Sequence, residues 1–430
     1  MRSTALLTDR YELTMLDAAM GSGRHERQGV FEVFARHLPA GRRYGVVAGT
    51  GRLVELIEAF RFGDEELAWL REHEIVRPAA IDWLADYRFR GTLTGYREGE
   101  LYFPGSPILR VDGTFADAVV LETLILSVLN HDSAVASAAS RMANAAEGRP
   151  IAEMGSRRTG EASAVAAARA AFIAGFSATS NLEAGRTWGI PTMGTAAHAF
   201  TLLHDSEEEA FAAQVAALGP GTTLLVDTYD ITTGVETAVR VAGPGLGAVR
   251  IDSGDLPVVV AQVRAQLDAL GATGTRITVT NDLDEYSIAA LRAAPVDAFG
   301  VGTSVVTGSG HPAAGMVFKL VARTDDEGRW VAVAKQSTGK ATVGGRKIPI
   351  RRTADGVAVE ETVFVDEPAA GVEGRALETT FIEDGAYAPE HLGPAGVAAA
   401  REHHRAAIAE LPPDALRLSR GDPAIPTVYV

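Results

Sequence analysis

The chain contains no cysteine. Disulfides, thiolate metal sites and a cysteine nucleophile are therefore excluded, and carboxylate, imidazole and hydroxyl groups are left to carry any chemistry. Lysine is almost as scarce, occurring only at positions 319, 335, 340 and 347. The basic side chains are thus nearly all arginine, which suits bidentate recognition of phosphate or carboxylate; a genome biased toward Arg and Ala codons accounts for the same composition without a ligand. Positive charge is short overall, with a formal net charge of −15. That balance argues against nucleic-acid binding, which needs a basic surface to displace counterions from phosphate. No apolar run approaches the length of a bilayer span, and Asp9 and Glu12 interrupt the stretch where a secretory signal needs uncharged residues. The expected location is the cytosol.

What is present is a large apolar fraction, 47% over 430 residues, which suggests one big domain and a smaller one. The first hundred or so residues mix a strand at Val30–Phe34, a helix at Leu53–Phe60 and alternating strands over Arg90–Val111. Helical signal then lengthens through Ala118–Asn130 and Ser133–Ala146, and Gly148-Arg-Pro150 marks a boundary. Beyond it a short apolar strand followed by a helical stretch recurs seven times. The expected strands are Ile151–Met154, Phe176–Thr179, Ile190–Thr195, Thr223–Val226, Ala248–Ile251, Arg276–Thr280 and Ala298–Val301. This rhythm predicts parallel strands with right-handed crossovers, in an open sheet or, at this spacing, a closed β/α barrel. After about residue 320 it gives way to strands at Phe318–Ala322, Trp330–Ala334 and Val357–Val365, and the Pro-rich end from 412 reads as an irregular strap. The expected segments are an N-terminal α+β domain over 1–115, a barrel over 116–320 and a tail over 321–430 that packs back on the first.

Unusual polar residues gather at the carboxyl ends of these strands, where parallel barrels build their sites. They are Glu153 with Arg157 and Arg158, Ser180 with Asn181, His198, Asp227 with Asp230, Arg250 with Asp252 and Asp255, Asn281 with Asp282, and Thr303 with Ser304. Strand ends are also where helix caps fall, so Ser, Asp and Asn alone prove little. The arginines and the histidine are not cap residues and carry more weight. Gly300-Val-Gly-Thr-Ser304 offers small residues and hydroxyls where a turn can present N–H groups to phosphate, with Arg157 and Arg158 as matching cations or as a solvated pair with Glu161. Arg250-Ile-Asp-Ser-Gly-Asp255 places a cation beside two acids, a set able to bind an anionic substituent with sugar hydroxyls or Mg²⁺, or simply to pair internally. His198 becomes a candidate nucleophile if Asp227 or Asp230 accepts from one ring nitrogen and frees the other.

Several segments taken together resemble one enzyme family. Leu7-Thr-Asp-Arg-Tyr-Glu-Leu-Thr-Met15, Glu153-Met-Gly-Ser-Arg-Arg158, Gly194-Thr-Ala-Ala-His198, Val226-Asp-Thr-Tyr-Asp230, Val249-Arg-Ile-Asp-Ser-Gly-Asp255, Thr280-Asn-Asp282 and Gly300-Val-Gly-Thr303 are similar in order and spacing to nicotinate phosphoribosyltransferases. The resemblance implies an irregular TIM-like α/β barrel with a second, sandwich-like α+β domain built from both chain ends. It implies transfer of a phosphoribosyl group from phosphoribosyl pyrophosphate to nicotinate, coupled to ATP hydrolysis and assisted by Mg²⁺. By the same resemblance His198 is phosphorylated by ATP and Asp227 orients it. Arg250 and Tyr11 hold the pyridine ring, the tyrosine coming from the neighbouring subunit of a homodimer. Asp252 and Asp282 hold ribose hydroxyls, while Gly302, Thr303 and Arg158, with Arg157 beside it, bind phosphate. Tyr11 also has a plainer reading as a helix-start residue, with Asp9 and Glu12 as a capping box.

Two departures stand out. Met154 occupies the place where many relatives put a Phe under the ring, and its thioether contacts an aromatic face less rigidly. Lys340-Ala-Thr-Val-Gly-Gly-Arg-Lys347 lacks the Pro usual before the Gly and receives no role. Among rivals, a nicotinamide-type enzyme resembles this family but carries an Asp in the loop matched by Thr179-Ser180-Asn181, where a hydroxyl suits an acid substituent better. A quinolinate-type enzyme needs further cations, a Schiff-base lyase needs a lysine at a barrel strand end, and a non-catalytic metabolite sensor binds without turnover.

Overall fold

The computed structural model describes residues 3–336, 342–367 and 372–430. The chain divides into two compact units, Met1–Ser137 with His311–Val430, and Ala138–Gly310. The first division falls inside a helix rather than near residue 115. The two helices expected there are one continuous element of 24 residues, Glu122–Ala145, preceded by a short helix Phe115–Val119. Its polar midpoint does not break it, because Asp132 is buried on one face and paired with Arg52 at 2.9 Å and with His131 at 2.9 Å.

The first unit is built on antiparallel sheet. Seven strands lie in the order Trp330–Ala332, Met316–Thr324, Gln28–Ala35, Leu109–Thr114, Thr92–Tyr96, Glu378–Glu383 and Ala386–Tyr387. Both ends of the chain thus contribute to one sheet, with Gly29 opposite Arg323 and Leu93 opposite Ile382. Alternation along Gln28–Ala35 puts Phe31 onto a continuous apolar core, where it stacks on Phe318 with ring centroids 4.8 Å apart. A four-stranded sheet holds Arg375–Ala376, Lys347–Ala354, Val357–Val365 and Thr427–Tyr429. The Pro-rich end is therefore more regular than a strap: after a 3₁₀ turn at Pro413–Leu416 it adds a parallel strand beside Val357–Val365. In the same unit Glu100 is buried against Arg375 at 2.6 Å and His403 at 2.8 Å. Burial alone disfavours its charge, but His403, Arg375 and Arg351 outweigh that and hold it well below the usual carboxylate range.

Tyr11 lies in this unit on the helix Arg10–Gly21 and is 45% exposed. The capping box expected around it does not form. Asp9 stands at the N-cap without a side-chain bond, and Glu12 turns inward instead, accepting from Thr8, from the Thr123 hydroxyl and from the Thr123 amide at 2.7 Å. Burial pushes its carboxyl up to about 7 despite those bonds. The Tyr11 phenol is raised by burial and by Glu122 and Glu12.

The second unit is the strand–helix repeat. We number its strands β1 (Ile151–Glu153), β2 (Ala178–Thr179), β3 (Thr223–Leu225), β4 (Ala248–Ile251), β5 (Arg276–Val279) and β6 (Ala298–Val301). All pairings are parallel, in the order β2-β1-β6-β5-β4-β3. The helices between them include Glu161–Ile173, Glu207–Leu218, Ile231–Ala242 and Leu256–Ala269. The seventh strand expected at Ile190–Thr195 is reduced to a single bridge from Thr192 to Thr179. Pro191 lacks an N–H, and Gly194-Thr-Ala-Ala197 has little strand propensity. Among the described residues the ring of ladder bonds is thus not closed, and the sheet is a parallel half-barrel. No described helix is long and apolar enough to cross a membrane.

Candidate active site

The carboxyl ends of β1, β4, β5 and β6 enclose a cleft of 190 Å³ lined by Met154, Arg157, Arg158, Arg250, Asp252, Thr280, Asn281, Asp282, Gly300, Gly302 and Thr303. Nine of the residues singled out in the sequence, Asn281 among them, therefore share one cleft. Small residues make the space. A Cβ at Gly300 would lie 2.7 Å from both Met154 Sδ and Thr280 Cγ2, and one at Gly155 would lie 2.2 Å from Val306 Cγ1. Gly302 precedes the four-residue helix Thr303–Val306. The first N–H groups of a helix have no partner within it and are available to an anion.

Arg250 is the most firmly placed cation. Its Nε donates to Thr280 Oγ1 at 2.9 Å, Nη1 donates to the Ala196 carbonyl at 3.3 Å, and Nη2 lies 3.5 Å from Asp252 Oδ2. Thr280 completes the frame by donating to Asp252 Oδ1 at 2.5 Å. In the sequence Thr280 figures only within Thr280-Asn-Asp282; the signal for this role is a hydroxyl just beyond β5, two residues past Thr278, the register partner of Arg250 on β4. Arg157 and Arg158 are exposed, and among the described residues neither has an ion-pair partner, Glu161 included. Both guanidinium groups stand free beside the glycine turn among the described residues. Asp282 occupies a positive φ of 28°, a conformation that Asp tolerates better than most residues.

His198 is not at a strand end but opens the short helix His198–Leu203. Its Nδ1 lies 3.1 Å from Thr228 Oγ1, and its Nε2 is 3.9 Å from both Asp227 Oδ1 and Asp252 Oδ2. Those carboxylates are near the ring without being bonded to it. Asp227 is held by its other oxygen, which accepts from the Asp252 amide at 2.8 Å and the Ser253 hydroxyl at 2.7 Å, while Oδ1 is buried with no hydrogen-bond partner among the described residues. Asp230, the other candidate to orient the histidine, instead caps the helix Ile231–Ala242 by accepting from the Thr233 amide at 2.8 Å. Asn181 likewise caps Leu182–Trp188 through the Ala184 amide. Preceding His198, the amides of Gly194 to Ala197 have no protein acceptor among the described residues.

Ser180 is exposed just beyond β2 and outside the lining of the cleft; its amide donates to the Glu153 carbonyl at 2.8 Å. Tyr11 belongs to the other unit. Mg²⁺ has no all-protein cage here, since among the described residues no three His or acidic side chains gather to hold a metal. A magnesium ion that keeps its waters and binds through one or two carboxylates and substrate phosphates fits Asp252, which is partly exposed and lines the cleft, better than Asp227, which is buried outside that lining.

Parallel β/α topology with arginines, acids and a glycine turn gathered in one cleft at the carboxyl ends of the strands is the arrangement of an α/β-barrel enzyme. Comparison with known proteins agrees. A family model described as the nicotinate phosphoribosyltransferase N-terminal domain matches residues 6–130. A nicotinate phosphoribosyltransferase of Mycobacterium tuberculosis, pncB1, is 56% identical over 98% of this chain and 94% of its own. One from Bacillus subtilis is 37% identical over 80% and 72%. The crystal structure of human nicotinic acid phosphoribosyltransferase superposes with a TM-score of 0.82 at 25% identity, covering 99% of this chain and 97% of that one. The chain belongs to the nicotinate phosphoribosyltransferase family.

Proposed function

We propose that this chain forms nicotinate mononucleotide and pyrophosphate from nicotinate and phosphoribosyl pyrophosphate. The pyridine nitrogen attacks the anomeric carbon as the bond to pyrophosphate breaks, through an oxocarbenium-like transition state. The protein's task is to hold the two reactants in line and to balance charge. The observation that carries the reading is the single cleft that joins Arg250, two unpaired arginines, Asp252, Asp282 and the Gly302–Thr303 turn. Arg250 meets the carboxylate of nicotinate, and Met154 packs under its ring. Asp252 and Asp282 accept from the ribose hydroxyls, while Arg157, Arg158, Gly302 and Thr303 take the phosphates. Asp252 would hold Mg²⁺, which when bound would supply positive charge opposite the leaving pyrophosphate.

ATP acts by phosphorylating His198, and hydrolysis of that phosphohistidine resets the site. The geometry favours Nδ1 as nucleophile: closure of Asp227 from 3.9 Å onto Nε2 leaves Nδ1 facing only the Thr228 hydroxyl. The active unit is a cytosolic homodimer in which Tyr11 of one subunit completes the ring pocket of the other. Support comes from side chains left in solvent around the strand ends, Leu182 at 76%, Leu203 at 78% and Tyr229 at 62% exposure, which a second copy covers. The antiparallel sheets shared by both chain ends support the sandwich-like second domain, and the half-barrel supports the TIM-like first.

The test is to incubate protein, Mg²⁺ and phosphoribosyl pyrophosphate with nicotinate or nicotinamide, with and without ATP. Nicotinate mononucleotide formed faster with ATP is expected; product from nicotinamide alone rejects the reading. His198→Ala should lose ATP hydrolysis and keep slow transfer, and undiminished ATP stimulation in that variant removes the phosphohistidine from the scheme.

A further inference from the structure

Glu153, the last residue of β1, is fully buried and faces no cation among the described residues. Burial raises its carboxyl above the ordinary range, opposed by its bonds to Thr179 and Gly155. Such a group is expensive to keep unless its geometry is needed. Here both oxygens are committed. One accepts from the Gly155 amide and the other from the Thr179 hydroxyl at 2.6 Å. The backbone carbonyl of the same residue accepts the Ser180 amide at 2.8 Å. The network continues outward: Thr179 Oγ1 accepts from the Asn181 amide at 3.0 Å, and the Asn181 side chain donates to Ser156 Oγ at 3.0 Å.

One carboxylate therefore fastens the turn that follows β1 to the turn that follows β2. The first of these turns has no room to move away, because a Cβ at Gly155 would already meet Val306 Cγ1 at 2.2 Å and the Gly302 carbonyl at 2.9 Å. Met154 sits at the start of the first turn and Ser180 in the second. We infer that Glu153 is a positioning residue for ring selection: by fixing the spacing between Met154 and Ser180, it sets how sharply the enzyme separates a pyridine carboxylate from a pyridine carboxamide. The inference rests on Met154 packing under the ring, as proposed above, and on the family resemblance that sets the Ser180 hydroxyl beside the ring substituent, Ser180 itself standing outside the cleft lining. Polar discrimination between near-isosteric substituents depends on where the hydroxyl is held, so loosening the clamp erodes selectivity before it erodes the sugar-phosphate contacts of β4, β5 and β6.

The experiment measures kcat/KM for nicotinate and for nicotinamide in the wild type and in Glu153→Ala, Glu153→Gln, Thr179→Val and Ser180→Asp. Glu153→Ala should lower the nicotinate-to-nicotinamide ratio by about tenfold or more, and Thr179→Val, which removes one of the two contacts, should lower it by less. Glu153→Gln should restore the ratio to within about threefold of wild type, because its amide can accept from Gly155 and donate to Thr179 Oγ1. If both rates fall together in Glu153→Ala and the ratio holds, the residue is merely structural and the inference is overturned. Should Glu153→Ala not fold, Thr179→Val decides, and an unchanged ratio there overturns it equally. Ser180→Asp separates the two levels: a changed ratio in that variant with an unchanged one in the Glu153 and Thr179 variants sinks the clamp alone, whereas no change in any of them sinks the ring assignment as well.

Discussion

A residue's chemistry was legible from the sequence where it had no competing structural use. Arg157, Arg158 and Arg250 stood out because arginine does not cap helices, and all three line the cleft. Asp230 and Asn181 were ambiguous for the opposite reason: the side chains that cap helices are those that bind sugars and orient histidines, and here capping won. Glu12 shows the same limit at the N-terminus, where a residue spaced for a capping box is drawn inward by Thr8 and Thr123. Its folded-state carboxyl lies at about 7 against an unperturbed 4.5. Its contribution to stability is complete below the unperturbed value and lost as pH rises through the folded one. Glu12→Gln should remove that loss, so thermal melts from pH 5 to 8 are expected to show the variant gaining on the wild type as pH rises; parallel curves would refute the shift. If Ser180 stands beside the ring substituent, as the resemblance implies, Ser180→Asp should depress nicotinate kcat/KM by about tenfold or more through repulsion of the substrate carboxylate. Unchanged steady-state kinetics would count against Ser180.

At the scale of elements, the repeat of short apolar strands and helices located six of seven barrel strands, β4 and β6 to the residue. The miss at Ile190–Thr195 has a local cause in Pro191 and the small residues after it, which periodicity in apolar character does not register. The helix Glu122–Ala145 reads in sequence as two, ending at Asn130 and resuming at Ser133, and only the Arg52 partner shows the intervening Asp132 to be buried and paired. The close approach of β1 and β6 was not readable at all, since it depends on Gly155 and Gly302 meeting from segments far apart in the chain. It makes a prediction. Gly155→Ala has no space for its methyl group against Val306 and the Gly302 carbonyl. The variant should lose about a hundredfold in kcat/KM through a displacement on the order of 1 Å of the first turn. Kinetics within a factor of about three of wild type would show that the turn yields freely.

For the whole molecule, the α/β class and the sheet joining both chain ends follow the expected outline, with a six-stranded half-barrel where a closed barrel was expected, but the assembly does not follow from one chain. If Tyr11 acts in the neighbour's pocket, then Tyr11→Ala and Arg250→Ala homodimers, each inactive or nearly so, should regain about a quarter of wild-type activity when their subunits are mixed and reassorted, because half the dimers carry one intact site. Activity that stays at the level of the separate variants would place both residues in the same subunit's site or remove Tyr11 from the reaction. The seventh strand that did not form has its own consequence. The amides from Gly194 to Ala197 have no protein acceptor among the described residues, and His198 follows directly on the C-terminal side. If His198 accepts the phosphoryl group as proposed, a stretch held here chiefly by Arg250 on the Ala196 carbonyl leaves less backbone bonding to undo in a swing toward the nucleotide than a seventh ladder at the rim would.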